Sequence, residues 1–412
     1  MTQHNLTVEK FTRYQTFVLV SLAVLQFMVM LDFMIISPIG HILTRDLAIS
    51  TNQFGLIVSS YIFSAAASGI VSAGFIDKYD RKKVLCFFFS GFIIGTLFCA
   101  FSNSFISLLY ARILTGIFGG VIGSVIMTII SDLFAPNQRG RAMSSIQMSF
   151  AAAQILGIPL GVFITDRLGW QYTFFLIVLL SVLVLGVLLI KLNPIREHLN
   201  QKTDKNPILH LWHTVKNKEH RMGFSAAIIL GMSMMLQPFV SIFLVNNIHL
   251  SNAQIPIIFM VTGASAFFIM PLVGRLSDKY DKFRIFLLGS LATIVIVPVY
   301  THLPIVPLWV VLILNVVMFA VIMSRMGPFQ ALNSMIPQPA NRGAYMSMSA
   351  SLSQMSGGLG IVIAGSIVSQ ASPESPLENF DVLGYLAVAL SAFAIYLVYR
   401  ISKLIKKQSE RG

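Results

Sequence analysis

Stretches of some twenty mostly apolar residues recur along nearly the whole 412-residue chain. A helix needs ~20 such residues to cross a hydrocarbon core. In lipid, every backbone amide and carbonyl must be satisfied inside the spanning structure, which leaves only helices and closed barrels. The runs lack the two-residue alternation of barrel strands. They fall at roughly 16–38, 54–75, 84–101, 105–131, 141–165 and 171–192, then at 223–247, 253–275, 284–301, 305–330, 341–370 and 382–402. The expectation is an all-α membrane protein with twelve transmembrane helices. With 56% hydrophobic and 11% charged residues, the composition is far from the ~25% charged of soluble domains.

The formal charge of +13 invites a nucleic-acid reading, but the placement of the charges opposes it. With these spans, Arg45 and Arg167 are the only basic residues in the loops of one side, and Arg112 and Arg325 fall inside spans. All other Lys and Arg gather on the opposite side, the cytoplasmic one by the positive-inside rule. Basicity here reports topology, and no nucleic-acid partner is expected. The first run is long for a signal-peptide core, lacks a small-x-small cleavage site and follows Lys10 and Arg13, so it reads as an uncleaved first span. An even number of spans then puts both termini in the cytoplasm. Cys86 and Cys99, both in the third run, read as small packing residues rather than a disulfide or metal pair.

One long polar stretch interrupts the pattern. It divides a six-helix half, 1–192, from a second, 223–412, through a cytoplasmic linker at 193–222. In one reading Pro207 opens a short helix there, with Ile208, Leu211, Trp212 and Val215 lying on the membrane surface. In the other reading the linker is simply solvated. His198, His210, His213 and His220 crowd the segment and read as surface histidines, with no metal site expected. The halves repeat each other. Asp77-Lys78-Tyr79-Asp80 returns 201 positions on as Asp278-Lys279-Tyr280-Asp281. Arg139-Gly140 returns 203 positions on as Arg342-Gly343, followed in each half by Met-Ser. Such a parallel duplication of six spans is known from one large transporter fold.

Of the sixteen acidic residues, only Asp32 falls inside a span. A carboxylate in hydrocarbon costs at least ~2.5 kcal/mol, so it persists by pairing, facing water or carrying a proton. Asp32 lies ~24 Å from the cytoplasmic end of span one, and Arg112 ~12 Å below the outer end of span four. Across a core ~30 Å thick the two reach similar heights. In the functional reading Asp32 takes up and releases a proton, and Arg112 is the partner it exchanges for that proton. The alternative is a static buried pair that fixes packing. The position matching Arg112 in the second half is Asn315, and span seven holds no acid. Coupling is therefore expected in the first half. Arg325, nearer the cytoplasmic end of span ten, has no acid in any span to pair with. It either anchors an anionic substrate group or, as the favoured reading, snorkels to the interface.

These features together resemble the major facilitator superfamily, over nearly the full length of the chain. The family's loop signature between spans two and three runs Gly-x-x-x-Asp-Arg-x-Gly-Arg-Arg/Lys. Asp77, Arg81 and Lys82 fit it, whereas Ala73 and Asp80 stand at its glycines. The second copy keeps Gly274 and Asp278 and has Asp281 for the later glycine. Arg112-Ile113-Leu114-Thr115-Gly116 in span four is similar to the family's Arg-x-x-x-Gly. Gly157-Ile158-Pro159-Leu160-Gly161 in span five resembles the signature of exporters that exchange substrate for protons. The Leu-Asp-Phe at 31–33 resembles the twelve-span drug:proton antiporter group.

The resemblance implies a cytoplasmic gate built from Asp77, Arg81, Asp132, Gly274 and Asp278, with plain topology determinants as the alternative. It also implies a span five that bends and approaches a neighbour at Gly157, Pro159 and Gly161. Polar and aromatic residues inside spans are candidates for a substrate cavity: Phe33, Tyr61, Gln147, Gln154, Gln237, Phe239, Asn246, Asn315, Gln330 and Gln354. Each could equally serve helix packing. The 20 methionines offer an adaptable lining. No Gly-x-x-x-x-Gly-Lys phosphate loop is present, so direct ATP coupling is not expected.

The expected protein is a transporter rather than an enzyme. It would be monomeric in the bacterial cytoplasmic membrane, need no cofactor and draw on the proton gradient to export amphipathic or cationic small molecules, or a metabolite. Alternatives are a lipid or glycolipid flippase, a proton-coupled uptake symporter and, from another class, a transport-inactive receptor or scaffold.

Overall fold

A computed structural model describes residues 10–72, 76–196, 199, 217–338 and 342–409. Among them, twelve helices are long and apolar enough to cross a membrane. Span one is Arg13–Ile35, two Thr51–Ser72, three Arg81–Phe101, four Phe105–Leu133, five Asn137–Leu168 and six Trp170–Lys191. Span seven is Glu219–Asn246, eight Ile255–Lys279, nine Lys282–Thr301, ten Leu308–Asn333, eleven Tyr345–Ile367 and twelve Phe380–Gln408. The architecture is all-α, as expected. Most helix ends fall within a few residues of the apolar runs. The largest departure is span twelve, which continues through Lys403, Lys406 and Lys407. An interfacial helix tolerates charges that a hydropathy boundary excludes. The expected surface helix at Pro207–Val215 lies outside the described residues, as do His198, His210 and His213. His220 is buried, with its ring 4.9 Å from that of Tyr345.

The two aspartates that replace the loop glycines have a structural use. Asp80 caps span three by accepting from the Lys82 amide at 3.0 Å, and Asp281 caps span nine by accepting from the Arg284 amide at 3.1 Å. Each also reaches the last span of its own half or the segment that follows it. Asp80 accepts from the Ile195 amide at 3.1 Å and Arg196 Nε at 2.8 Å. Asp281 lies 3.5 Å from Lys406 Nζ. Burial pushes the Asp80 carboxyl up, but the donors from Arg196, Ile195 and Lys82 outweigh it and hold the group below the usual carboxylate range. Glycine could not supply these acceptors.

Spans one and seven are both broken. Span one gives way to turns at 36–39 before a short helix, Gly40–Asp46. Span seven runs Lys218–Met232, then through turns and a 3-10 turn at Gln237–Phe239 into Val240–Asn246. Pro38 and Pro238 mark the two breaks, because proline withholds an amide and clashes with the preceding turn. The breaks meet across the molecule. Ser37 Oγ donates to the Gln237 carbonyl at 2.9 Å, and Ser241 Oγ donates to the Ser37 carbonyl.

Nearby, His41 Nε2 lies 3.0 Å from Asn252 Oδ1, and Thr51 Oγ1 donates to the Val368 carbonyl at 2.7 Å. A Cβ on Gly365 would sit 3.0 Å from the Thr51 carbonyl, and one on Gly55 would sit 3.1 Å from the Ile361 carbonyl. Spans two and eleven therefore cross backbone to backbone. All these contacts join the first six spans to the last six at the end away from the basic face. Toward the basic face Asp278 is exposed, and space is open around Gly274.

Candidate functional site

Leu25, Met28, Val29, Asp32 and Ile35 form one buried stripe on span one at three- and four-residue spacing. That stripe carries Asp32 to the inside of the first six spans. Arg112 arrives from span four on a stripe with Leu108 and Thr115, and Thr96 from span three. Asp32 is 0% and Arg112 1% exposed. Arg112 Nη1 donates to Asp32 Oδ2 at 2.7 Å, and Thr96 Oγ1 donates to Oδ1 at 3.2 Å. The guanidinium carbon lies 4.5 Å from the centre of the Tyr61 ring on span two, and that ring is 5.2 Å from Phe33. One charge pair thus ties four helices of the first half. Removing either partner would leave a bare charge in a dry site, and a proton on Asp32 would likewise leave the Arg112 guanidinium without its counter-charge. Thr96 is absent from the sequence-level candidates. Its signal is weak, one of two hydroxyls (with Ser90) in an apolar run, because such residues commonly bond their own helix.

The ladder of span five widens to a π turn at Ala153–Gly157, two residues before Pro159. A Cβ on Gly157 would meet Leu31 at 2.9 Å, and one on Gly161 would meet Ile35 at 2.7 Å. At both glycines the side chains of span one pack directly against the span-five backbone, and a larger residue would have to displace their ends. At the basic face Arg81 Nε pairs with Asp132 Oδ2 at 3.2 Å, within the first half. Asp77 sits in the 3-10 turn Ile76–Lys78, but its side chain lies outside the described residues.

A cavity of about 270 Å³ opens where span seven breaks. Ser233, Met234, Leu236 and Gln237 come from that break, and Thr293 and Tyr300 from span nine. Asn315 and Arg325 come from span ten, Ser391 from span twelve, and Phe150 and Gln154 from span five. Of the cavity candidates, Gln154, Gln237 and Asn315 line it. Tyr61 and Phe33 stand at the Asp32–Arg112 pair instead. Phe239 is buried against Phe54, and Asn246 donates to the Pro373 and Ser375 carbonyls. Gln147, Gln330 and Gln354 are exposed residues outside the lining.

Arg325 departs from the snorkelling expectation. It is 5% exposed and turns inward toward span nine, where Gly289 leaves room for its stem. Its Nη1 reaches Thr293 Oγ1 at 3.4 Å, while Nε and Nη2 are buried without an acceptor. Hydropathy could not distinguish the two placements, because nearly every face of span ten is apolar.

Known proteins agree with this architecture. The sequence model of the Major Facilitator Superfamily matches residues 22–361. The chain is 25% identical over 393 residues to the uncharacterized MFS-type transporter YceJ of Bacillus subtilis (strain 168), covering 93% of this chain and 96% of that one. It is 30% identical over 155 residues to Multidrug resistance protein 3 of the same organism, covering 38% and 30% of the two chains. Among solved structures, a bacterial homolog of the human lysosomal transporter Spinster, inward-facing and unoccupied, superposes with a TM-score of 0.78 at 16% identity over 97% of this chain and 99% of that one. With twelve spans, the proline-marked breaks in spans one and seven and a family match over most of its length, the chain belongs to the Major Facilitator Superfamily and is one of its membrane transporters.

Proposed function

We propose that this transporter exports amphipathic small molecules from the bacterial cytoplasm in exchange for protons, by rocking the halves 1–192 and 223–412 about a central site. The observation that carries the reading is the sealed Asp32–Arg112 pair. An intramembrane acid paired with a cation is the element a proton coupler needs. A proton reaching Asp32 cancels its charge and frees Arg112. That guanidinium rests on Tyr61 of span two, the helix whose Thr51 and Gly55 hold the seam against span eleven. Protonation is thereby felt at the seam between the halves.

The described arrangement, joined at the end away from the basic face, fits the state open to the cytoplasm, with both termini on that side by the positive-inside rule. The Arg81–Asp132 pair stands ready at the open end to meet the other half when the protein faces outward. Export is supported by the proton-exchange signature in span five and by the name of the relative called Multidrug resistance protein 3.

The test uses inside-out vesicles carrying a pH-sensitive dye and a panel of fluorescent amphipaths, comparing the wild type with Asp32→Asn. Substrate-induced proton release in the wild type and none in the variant is the expected result. Equal release from both removes Asp32 from the mechanism, and proton movement in the same direction as cargo means symport.

A further inference from the structure

The cavity holds a cation, Arg325, that no acid among the described residues neutralises, and we infer that the cargo carries an anionic group received by Arg325. This deepens the proposed export of amphipathic molecules and rests on that reading. Intramembrane cations are costly and almost always paired, and buried donors nearly always find acceptors. Arg112 obeys the first through Asp32, and only its Nε is left buried without an acceptor. Arg325 obeys neither, since two of its nitrogens are buried without an acceptor and the third has only a long contact to Thr293. Among the described residues no acid lines the cavity, so a positively charged cargo would meet an uncompensated like charge there.

The planar guanidinium fork matches two oxygens of a carboxylate, sulfonate or phosphate monoester. A second donor stands in the same wall. Tyr300 accepts from Asn315 Nδ2 at 3.3 Å, which leaves its own hydroxyl proton free to donate. Phe150, Phe259, Phe319 and Met323 supply apolar surface for the rest of the molecule. The chemical class is therefore an organic anion with an aromatic or alkyl body.

Three dansyl probes of one shape and different charge test this by fluorescence titration of the purified full-length protein. They are dansylglycine (an acid), its neutral amide and dansyl-ethylenediamine (an amine). Dansylglycine should bind at least about tenfold more tightly than the amide, the difference expected of one charge-assisted contact, with the amine weakest. Arg325→Gln should abolish the preference, and Arg325→Lys should keep part of it. An amine that binds as well as the acid, an acid that does not bind, or an Arg325→Gln variant with the same preference overturns the inference. If that variant does not fold, the wild-type ranking of the three probes decides. Binding requires no gradient, so this outcome is independent of whether the Asp32→Asn vesicle assay upholds proton exchange.

Discussion

Thr96 and Arg112 divide the Asp32 carboxylate between them, the threonine hydroxyl on Oδ1 at 3.2 Å and the guanidinium on Oδ2 at 2.7 Å. Thr96→Val keeps the shape and removes one donor. A hydrogen bond to a charged group contributes ~1.5 kcal/mol or more, so the variant weakens the hold on the carboxylate and leaves Arg112 as its remaining side-chain donor. Substrate-driven proton release in vesicles should fall in Thr96→Val without vanishing, and Thr96→Ser should restore most of it. A Thr96→Val protein that transports at the wild-type rate would mean the hydroxyl is a bystander.

Arg112 and Asp32 also set up a double-mutant comparison. With both side chains buried, Asp32→Asn leaves a lone guanidinium inside, at a cost of ~3–5 kcal/mol. Combining it with Arg112→Met removes the stranded charge. The double variant should unfold at a higher temperature in detergent than Asp32→Asn alone, yet still fail to couple. Recovery of stability with no recovery of transport separates the structural use of the pair from its proton chemistry. If the double variant is no more stable than the single one, the pair is not dry enough for this argument.

Much of this was legible from the chain, for identifiable reasons. A bilayer fixes helix length, so twelve apolar runs had to be twelve spans, and depth counting alone brought Asp32 and Arg112 to one level. The interior of the second half was not legible. In water a helix advertises its buried face by contrast, but in lipid both faces are apolar and the contrast disappears. Apolarity on every face leaves Arg325 compatible with snorkelling and gives no sign that Tyr300 and Thr293 line a cavity. Pro238 is the one sign the sequence carries. Its match to Pro38 marks a break in span seven, and the unwound residues beside it are the ones that open the cavity. Asp80 and Asp281 are a smaller case, in which a departure from a family glycine turned out to be a helix cap.

Asp80 gives a pH dependence whose sign follows from its environment. Its carboxyl is held below the usual range once folded, so its contribution is present above the unfolded value near ~3.9 and is lost as pH falls through the folded one. Arg196 is 60% exposed on its side chain, which limits the pair itself to less than ~1 kcal/mol. Asp80→Asn keeps the cap and loses the charge, so its unfolding temperature should sit slightly below wild type at pH 7, with the gap narrower at pH 3. Asp80→Ala also loses the cap and should cost about 1–2 kcal/mol at both. Curves for Asp80→Asn and wild type that stay parallel down to pH 3 would contradict the linkage.

Gly365 tests whether the seam between spans two and eleven sets which way the transporter faces. An added Cβ would stand 3.0 Å from the Thr51 carbonyl and 3.3 Å from the Asn52 α-carbon, both backbone atoms that cannot swing aside. Gly365→Ala requires a shift of a few tenths of an ångström, whereas Gly365→Val drives branched atoms into the crossing helix. The larger side chain should pry the halves apart at the end away from the basic face and populate the opposite state. Ser37 reports on that opening, because it bonds the Gln237 carbonyl across the seam. With Cys86 and Cys99 replaced by alanine, Ser37→Cys should react faster with an impermeant maleimide in Gly365→Val than in the parent, and Gly365→Ala should fall between them. Overpacking of this kind typically costs ~1–3 kcal/mol, enough to change a two-state population by about fivefold to a hundredfold. Equal labelling rates in all three would show that the glycine crossing stabilises the helix pair without deciding the direction in which the protein opens.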